Sequence, residues 1–237
     1  LMLEEFRSEP FHNLCLLRGY PPHTPGTGGT CSDKALSFLH AVRGLGVEAH
    51  LHTAFIGGAE IHRLVRLRLR GREYLADVGN GWPSARLYPV DRETAFGCFG
   101  IGFRTVLRSD RMSVFCRRQE TERHTMDIML QPRPEAAILA EIASRFDSGI
   151  EYPFSRGIRF SRVVGQRFLF LRDARLEIYA EGKPLQVIDG IGESQLEEIL
   201  AEYFDFDLAA LARGAGGQHP CQPLSPGRAS LASPGGP

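Results

Sequence analysis

The sequence contains little lysine and no excess of charge of either sign. Only Lys34 and Lys183 are lysines among 28 Lys and Arg residues, and 28 Asp and Glu residues bring the formal net charge to zero at pH 7. Nucleic-acid-binding proteins usually have a basic excess or a basic face, and acidic or basic tails have blocks of like charge. The charge balance therefore argues against a nucleic-acid partner.

Long apolar runs and paired cysteines are also lacking. No stretch approaches the roughly 20 apolar residues that span a bilayer, and residues 1–7 contain acids without the apolar core of a secretory signal. The five cysteines, at positions 15, 31, 98, 116 and 221, include no C-x-x-C pair, which disfavours a disulfide framework and a zinc ribbon. We therefore expect reduced cysteines, a cytoplasmic location and no membrane partner.

The sequence does contain enough apolar residues for a folded core. Its 237 residues are 43% hydrophobic and 24% charged, which is typical of one large globular domain or two small ones. Residues 213–237 differ, since they contain six Gly and five Pro and show no periodicity. This composition predicts a disordered tail.

Hydrophobic periodicity predicts both helices and strands. From Ser32 to Gly46 the apolar residues recur at helical spacing, and residues 47–55, 61–70 and 74–78 alternate as strands do. We expect a helix followed by an antiparallel meander. Further short strands are predicted within 83–130 and at 157–164, 166–171, 174–180 and 184–188, with helices at 135–146 and 193–204.

The most informative local pattern is Gly28-Gly29-Thr30-Cys31 at the start of the first long helix. A cysteine must be a thiolate to attack an acyl carbon, and the free N–H groups and partial positive charge of a helix N-terminus favour the thiolate. Glycines before it let backbone and substrate approach closely. The alternative is a small buried cysteine at a helix cap.

A cysteine nucleophile needs a base and a group that orients the base. His62 begins one predicted strand, and Asp77 ends the next. A two-residue turn at Gly71-Arg72 places both on one face but makes Gly81 the direct partner of His62, so a bulge, twist or longer turn must bring Asp77 closer. The alternatives are a strand-end surface histidine and a turn-capping aspartate. The order Cys, His, Asp across helix, strand and strand favours a catalytic set.

Several segments together resemble the arylamine N-acetyltransferases. Residues 10–14 (PFHNL) are similar to the family's P-F-E-N-L, residues 28–31 (GGTC) to R-G-G-x-C, and residues 77–81 (DVGNG), which follow His62, to D-V-G-F-G. Later segments, YPFS at 152–155 and YFDFDL at 203–208, fit the same pattern. The resemblance covers roughly residues 3–210.

The resemblance implies an α+β fold related to papain-like and transglutaminase-like cores. An N-terminal helical segment, 1–46, would carry the cysteine and would be shorter at its front than in the family. An antiparallel β-barrel-like middle domain would span 47–132, and a C-terminal α/β lid would span 133–212, followed by the tail at 213–237.

The resemblance also implies an activity and a set of site residues. The family uses acetyl-CoA, or another acyl-CoA, in a ping-pong cycle that ends on an arylamine, hydrazine or similar small amine. By position, Cys31 would become acylated, His62 would move protons, and Asp77 would hold the imidazole. The implied substrate- and cofactor-binding residues are Gly28, Gly29, Thr30, Gly58, Asn80 and Ser155.

Several positions depart from the family pattern, among them Thr30, which replaces the usual aromatic residue, and residues 32–34 (SDK), which replace an acid-rich segment. Thr27 replaces the arginine before Gly-Gly, His12 replaces the glutamate of P-F-E-N-L, and Asn80 replaces the phenylalanine that faces the acceptor in the family. The cysteine, histidine and aspartate are intact, so chemistry of the same class is expected.

Other interpretations of the same residues stay open. The segment around Cys31 also looks like a transglutaminase-like core, so the cysteine could act on a glutamine or peptide amide, or the chain could be a degenerate relative that only binds a small molecule or partner. His50-x-His52 is the best candidate for zinc. Further ligands are not obvious, and no metal site is expected.

Overall fold

A computed structural model describes residues 1–18, 26–146, 154–209 and 211. The expected tail at 213–237 and the Tyr152-Pro153 part of the YPFS segment lie outside the described residues. The helices are α1 (Met2–Ser8), α2 (Leu14–Arg18), α3 (Cys31–Gly44), α4 (Glu135–Ala143) and α5 (Leu196–Phe204), with 3₁₀ turns at Ser144–Phe146 and Glu193–Gln195.

The strands form two antiparallel sheets, which confirms the α+β prediction. An eight-stranded sheet has the order β5-β4-β3-β2-β9-β8-β7-β6, and a five-stranded sheet has the order β1-β10-β11-β12-β13. The strands are β1 (Phe11–His12), β2 (Glu48–Ile56), β3 (Ala59–Leu69), β4 (Arg72–Ala76), β5 (Tyr88–Pro89), β6 (Ala95–Cys98), β7 (Ile101–Leu107), β8 (Arg111–Arg118), β9 (Thr121–Met129), β10 (Arg159–Val164), β11 (Arg167–Arg172), β12 (Arg175–Ala180) and β13 (Gln186–Asp189).

Helix α3 forms because its apolar residues share one face and its ends carry stop signals. Phe38, Leu39 and Val42 are buried in a cluster with residues of β2 and β3 and with Ile138 of α4. The helix ends before Gly46, whose φ of 75° is the left-handed conformation that favours glycine. Helix α4, which the sequence analysis grouped with the C-terminal segment 133–212, thus packs on the same core as α3.

The turn between β3 and β4 differs from the expected one by one residue. Its central residues are Arg70 and Gly71, with φ of 50° and 77°, as a type I′ hairpin turn requires. Leu69 therefore faces Arg72, and the expected turn at Gly71-Arg72 is wrong. Continued along the chain, this register brings position 79, not 81, opposite His62, and diagonal neighbours of this kind lie within reach of long side chains.

The N-terminal segment joins the five-stranded sheet to the loop before α3. Phe11 and His12 form β1 at the edge of the five-stranded sheet, where Phe11 faces Ser161 of β10. The same segment bonds the loop before α3, because His12 N–H donates to the Gly29 carbonyl at 2.8 Å and Gly29 N–H donates to the Pro10 carbonyl at 3.0 Å. The segment expected to be helical thus also contains a strand that positions the cysteine loop.

Among the described residues, none of the helices combines the length and the apolarity that crossing a bilayer demands.

Candidate active site

Cys31 is the first residue of α3 and is 5% exposed. Thr30 caps the helix, and its hydroxyl and Asp33 form a capping box. The Asp33 carboxylate accepts hydrogen bonds from the Thr30 N–H at 2.9 Å and from the Thr30 hydroxyl at 2.8 Å. It is also ion-paired with Arg145, which follows α4. These contacts fix the first turn of α3 and with it the sulfur.

The two glycines before Thr30 occupy positions where a larger residue would clash. Gly28 has a φ of 75°, and a Cβ there would lie 2.0 Å from the carbonyl oxygen of Pro10. A Cβ on Gly29 would lie 2.6 Å from the carboxylate of Asp33. The close approach that the sequence pattern predicted is therefore made to the protein's own N-terminal segment and helix cap.

His62 and Asp77 lie beside Cys31 and form a connected set with it. His62 Nε2 donates to Asp77 Oδ1 at 2.8 Å, with both side chains at most 2% exposed. The Cys31 thiol lies 3.8 Å from the carbonyl oxygen of Ile61, the residue before His62, and the pKa of Cys31 responds to the His62 side chain. The structure thus brings together the three residues that the sequence analysis selected, in the order thiol, imidazole, carboxylate.

The pKa values of this set favour a thiolate and an imidazolium. Burial lowers the pKa of His62, but the charge and hydrogen bond of Asp77 and the contact with Cys31 raise it more, to about 10. Burial raises the pKa of the Cys31 thiol, but the hydrogen bond and charge of His62 bring the pKa below its ordinary value. The environment therefore favours the charged form of both groups.

Gly79 allows the chain after β4 to touch the nucleophile helix. An ideal Cβ at this position would lie 2.7 Å from the Cα of Cys31 and 2.9 Å from its Cβ. A glycine in the D-V-G-x-G pattern thus has a steric reason, because the backbone that carries Asp77 approaches Cys31 directly.

Asn80 contacts Asp77, although the resemblance placed it among substrate-binding residues. Its side-chain amide donates to Asp77 Oδ2, and its carbonyl oxygen accepts from the Trp82 N–H at 2.7 Å. The sequence analysis did not foresee this contact. A short amide side chain three residues after the aspartate, in a turn bounded by glycines, is the signal that could have indicated it.

A narrow cleft reaches Cys31, and Arg63 is a buried residue there that the sequence analysis missed. Its backbone N–H hydrogen-bonds the sulfur, and its charge also lowers the pKa of Cys31. Its guanidinium donates to Glu141 at 2.9 Å. The sequence signal for this role was an arginine directly after the candidate histidine. Both residues lie at the end of β3 that is nearer the cysteine. The cleft is lined by Leu16, Thr30, Cys31, Ser32, Ile61, Arg63, Glu141, Ile142, Arg145 and Phe154.

Of the six expected binding residues, Thr30 lines this cleft, and Gly28, Gly29, Gly58, Asn80 and Ser155 are not among its lining residues. Gly58 sits in the exposed turn between β2 and β3, where its φ is 85° and an added Cβ would meet no atom within 4 Å. Ser155 directly follows Phe154, which does line the cleft. Their contact with substrate stays a prediction.

The two departures at positions 12 and 27 meet in space. His12 is fully buried, stacks on Phe160 with ring centroids 5.5 Å apart, and uses its Nε2 to hydrogen-bond the Thr27 carbonyl at 2.8 Å. The histidine therefore supports the loop through the backbone of residue 27, so a charged side chain at that position is not required for this contact.

A buried lysine provides a second support that the sequence analysis missed. Lys34, 1% exposed, donates to the carbonyls of Glu5 and Glu9. The carboxylate of Glu9 accepts from the N–H groups of Gly26 and Gly28 at 2.7 and 2.9 Å. Lys34 lies one helical turn before Phe38 on the apolar face of α3, and a charged residue at such a position indicates a buried partner.

Among the described residues, no group of three or more His, Cys, Asp or Glu could hold a metal ion. His52 instead hydrogen-bonds the Met129 carbonyl through its Nε2 at 2.8 Å. Burial lowers the pKa of His52 to about 4, so its ring is neutral at pH 7.

A helix N-terminal cysteine beside a buried histidine and aspartate, on this α+β fold, has the features of enzymes that use a thiol nucleophile. A family model described as N-acetyltransferase matches residues 26–213, more than three quarters of the chain. The chain therefore belongs to the arylamine N-acetyltransferase family, as the motifs indicated, and it is an acetyltransferase.

Solved structures of arylamine N-acetyltransferases are similar in fold. The Nocardia farcinica enzyme is 20% identical with a TM-score of 0.76, and the match covers 91% of this chain and 85% of that one. The Salmonella typhimurium enzyme is 16% identical with a TM-score of 0.71, covering 90% and 89%. The Mycobacterium marinum enzyme in complex with CoA is 16% identical with a TM-score of 0.76, covering 89% and 86%. A comparison with curated protein sequences gave no significant match.

Proposed function

We propose that this acetyltransferase moves an acetyl or other acyl group from an acyl-CoA to an arylamine, hydrazine or similar small amine through an acyl-cysteine at Cys31. The observation that carries the proposal is the buried His62–Asp77 hydrogen bond beside Cys31 at the N-terminus of α3, where the imidazole lowers the pKa of the thiol. Family membership supports the choice of donor and acceptor, and a similar structure was solved in complex with CoA.

In the first half-reaction the Cys31 thiolate attacks the thioester carbon of the acyl-CoA. The carbonyl oxygen becomes an oxyanion, and backbone N–H groups in the first turn of α3 are placed to stabilise it. The bond from carbon to the CoA sulfur then breaks, His62 gives its proton to that sulfur, and CoA leaves as a thiol. Asp77 keeps the imidazole oriented throughout.

In the second half-reaction the amine nitrogen attacks the acyl carbon of the acyl-cysteine. Neutral His62 takes a proton from the amine as the new carbon–nitrogen bond forms, and the Cys31 sulfur leaves as a thiolate. The amide product departs, and the thiolate–imidazolium pair that favours the next cycle is restored.

Intact-protein mass spectrometry tests the acyl-cysteine directly. Mixing the protein with acetyl-CoA in the absence of an amine should add one acetyl group, and adding an arylamine should remove it. Cys31→Ala should abolish the adduct. Cys98→Ala is the matched control, because Cys98 is a half-buried free cysteine outside the site and its loss should leave the adduct intact. The absence of an adduct with several acyl-CoA donors would disprove the proposal.

The same triad could serve a cysteine amidase or transglutaminase-like reaction. No contact in the described residues favours a peptide amide over a thioester, and the family match favours the acyl-transfer reaction. Ammonia release from a glutaminyl peptide, without acylation by CoA thioesters, would favour the amidase. A chain that only binds would show neither reaction.

A further inference from the structure

The carboxylate of Asp77 is completely buried, and each of its two oxygens has a different partner. Oδ1 accepts the hydrogen of His62 Nε2, and Oδ2 accepts a hydrogen from the side-chain amide of Asn80. A carboxylate held at both oxygens cannot rotate without losing one of these bonds. The histidine–aspartate geometry therefore depends on a fourth residue.

Asn80 is itself held in place at its other end. Its carbonyl oxygen accepts from the Trp82 N–H at 2.7 Å, which fixes the side chain to its own turn. The Trp82 ring stacks on Phe170 with centroids 4.6 Å apart, and the guanidinium of Arg118 lies 4.3 Å from the ring centre. Asn80 thus has a rigid base, and both ends of its amide are engaged within the protein.

We propose that Asn80 is a positioning residue that locks the Asp77 carboxylate so that His62 stays directed at Cys31. This inference rests on the proposed function, since it concerns the same site. It differs from the role that the resemblance implies, where position 80 faces the acceptor. An amide can perform this task without adding charge beside the buried carboxylate.

Few other titratable or charged groups surround Asp77. On β3 they are His62 and its neighbour Arg63, and on α3 Cys31 lies beyond the imidazole. On β5, Tyr88 is fully buried; burial, with the negative charge of Asp77, keeps its pKa well above the ordinary value, so it stays neutral. Asn80 is thus the neutral hydrogen-bond donor that the structure places on Oδ2.

The test compares Asn80→Ser with the wild-type protein in the pH dependence of Cys31 alkylation by iodoacetamide. A serine hydroxyl can still accept from the Trp82 N–H but is too short to reach Asp77. Loss of a hydrogen bond to a buried charge should move the low-pH limb of the profile upward by about one unit, so alkylation at a given pH on that limb falls about tenfold. The plateau rate at high pH should not change, because the thiol is fully ionised there in both proteins.

Ser84→Ala is the matched control. Ser84 lies in the same loop, is buried, and shares a hydrogen bond with the Tyr88 hydroxyl at 2.5 Å, so its loss disturbs the loop without touching Asp77. Its alkylation profile should match that of the wild-type protein. Steady-state kinetics add a second readout: Asn80→Ser should lower kcat about tenfold while the KM for the amine stays within about twofold.

If the wild-type thiol is activated but Asn80→Ser has the same alkylation profile as the wild-type protein, the positioning role of Asn80 alone is overturned. The same holds if Asn80→Ser raises the KM for the amine without changing the alkylation profile. A wild-type thiol that titrates near 8.5 would overturn the proposed function and this inference together.

The chain has two asparagines, Asn13 and Asn80, so asparagine-selective labelling also gives a test without a variant. One Asn80 amide proton should exchange slowly with water, and rapid exchange of both would contradict the inference.

Discussion

At the scale of single residues, the site depends on side chains that are small or short enough to permit contact. Gly79 lets the backbone behind Asp77 meet Cys31, and Asn80 is short enough to turn back onto that aspartate. His12 supports the loop before α3 through the Thr27 carbonyl. Lys34, on α3, bonds the carbonyls of Glu5 and Glu9 in the N-terminal segment. The surroundings of one thiol therefore depend on several residues besides Cys31, His62 and Asp77.

The contact at Gly79 predicts that even one methyl group would displace the nucleophile. In Gly79→Ala the new Cβ would meet the Cα of Cys31 at 2.7 Å, so backbone must move. We expect a loss of about 1–3 kcal/mol in the free energy of unfolding and a reduction in acyl-adduct formation of about tenfold or more. Urea unfolding and rapid-mixing mass spectrometry measure the two effects.

Gly97→Ala provides the comparison for that prediction. Gly97 lies in β6, and a Cβ there would meet only the Ile101 carbonyl, at 3.8 Å, an ordinary contact. Adduct formation should be unchanged in this variant. Equal losses of activity in the two glycine variants would contradict the proposed steric role of Gly79.

His52 predicts a loss of stability in mild acid. Burial lowers its pKa to about 4, against about 6.5 in an unfolded chain. Between these values the unfolded state binds more protons, so the free energy of unfolding falls as the pH falls from 6.5 to 4. His52→Leu should reduce this pH dependence by up to about 3 kcal/mol. Urea unfolding at several pH values measures it, and an undiminished dependence in the variant would contradict the assignment.

At the scale of elements, the strongly periodic segments were predictable and the short ones were not. Helix α3, strands β2 and β3, and the four strands from β10 to β13 follow hydrophobic patterns that each element carries within itself. Strand β1 has two residues and pairs with β10, about 150 positions away, so no local pattern could indicate it. The turn at Arg70 was missed because arginine rarely adopts a positive φ.

The candidate site was predictable in its reactive groups and not in their supports. Cys31, His62 and Asp77 were selected because nucleophilic catalysis restricts which residue types can serve, and the structure brings the three together. The contacts of Asn80, Arg63 and Lys34 arise from tertiary packing, since each contacts groups brought near by the fold of the whole chain. Their signs in the sequence were slight: a short amide in a glycine-bounded turn for Asn80, an arginine directly after the histidine for Arg63, and a charged residue on an apolar helix face for Lys34.

The cap of α3 predicts a coupling between helix stability and thiol reactivity. Thr30→Val keeps the shape of the side chain but removes the hydroxyl that bonds Asp33 and receives the backbone N–H of the first turn. The free energy of unfolding should fall by about 1 kcal/mol. Alkylation of Cys31 at pH 6 should slow at the same time, because the first turn no longer holds its N–H groups toward the sulfur.

Thr105→Val separates these two effects. Thr105 is also buried, and its hydroxyl accepts from the Thr94 N–H at 2.9 Å, so the variant loses a comparable hydrogen bond away from α3. Its stability should fall by a similar amount while Cys31 alkylation stays at the wild-type rate. Slowed alkylation in both variants would mean that overall stability, and not the cap, controls the thiol.

At the scale of the whole molecule, the N-terminal segment connects the five-stranded sheet to the loop before α3. Asn13 is fully buried, and its amide donates to the carbonyls of Phe154 and Gly157 at 2.6 and 2.7 Å. Its carbonyl oxygen accepts from the Arg159 N–H at 2.8 Å. One side chain thus fastens the start of β10 to the segment that bonds the cysteine loop.

Trp82 offers a direct way to observe this docking. It is the only tryptophan of the chain, and its ring lies between Arg118 of the eight-stranded sheet and Phe170 of the five-stranded sheet. Its fluorescence should therefore change when the sheets separate, whereas far-ultraviolet circular dichroism reports the strands and helices themselves. In the wild-type protein we expect the two signals to change together in urea.

Asn13→Ala should uncouple those signals. The variant leaves two carbonyls and one N–H without their partner, which should lower the free energy of unfolding by about 2–5 kcal/mol. Because the lost bonds fasten the N-terminal segment, which also bonds the loop before α3, to the start of β10, Trp82 fluorescence should change at lower urea than circular dichroism does. Ser113→Ala, which loses a bond to Asp127 within the eight-stranded sheet, should keep the transitions coincident. Coincident transitions in Asn13→Ala would show that the sheets unfold as one unit whatever happens at this residue, and that Asn13 stabilises the fold without being the link between them.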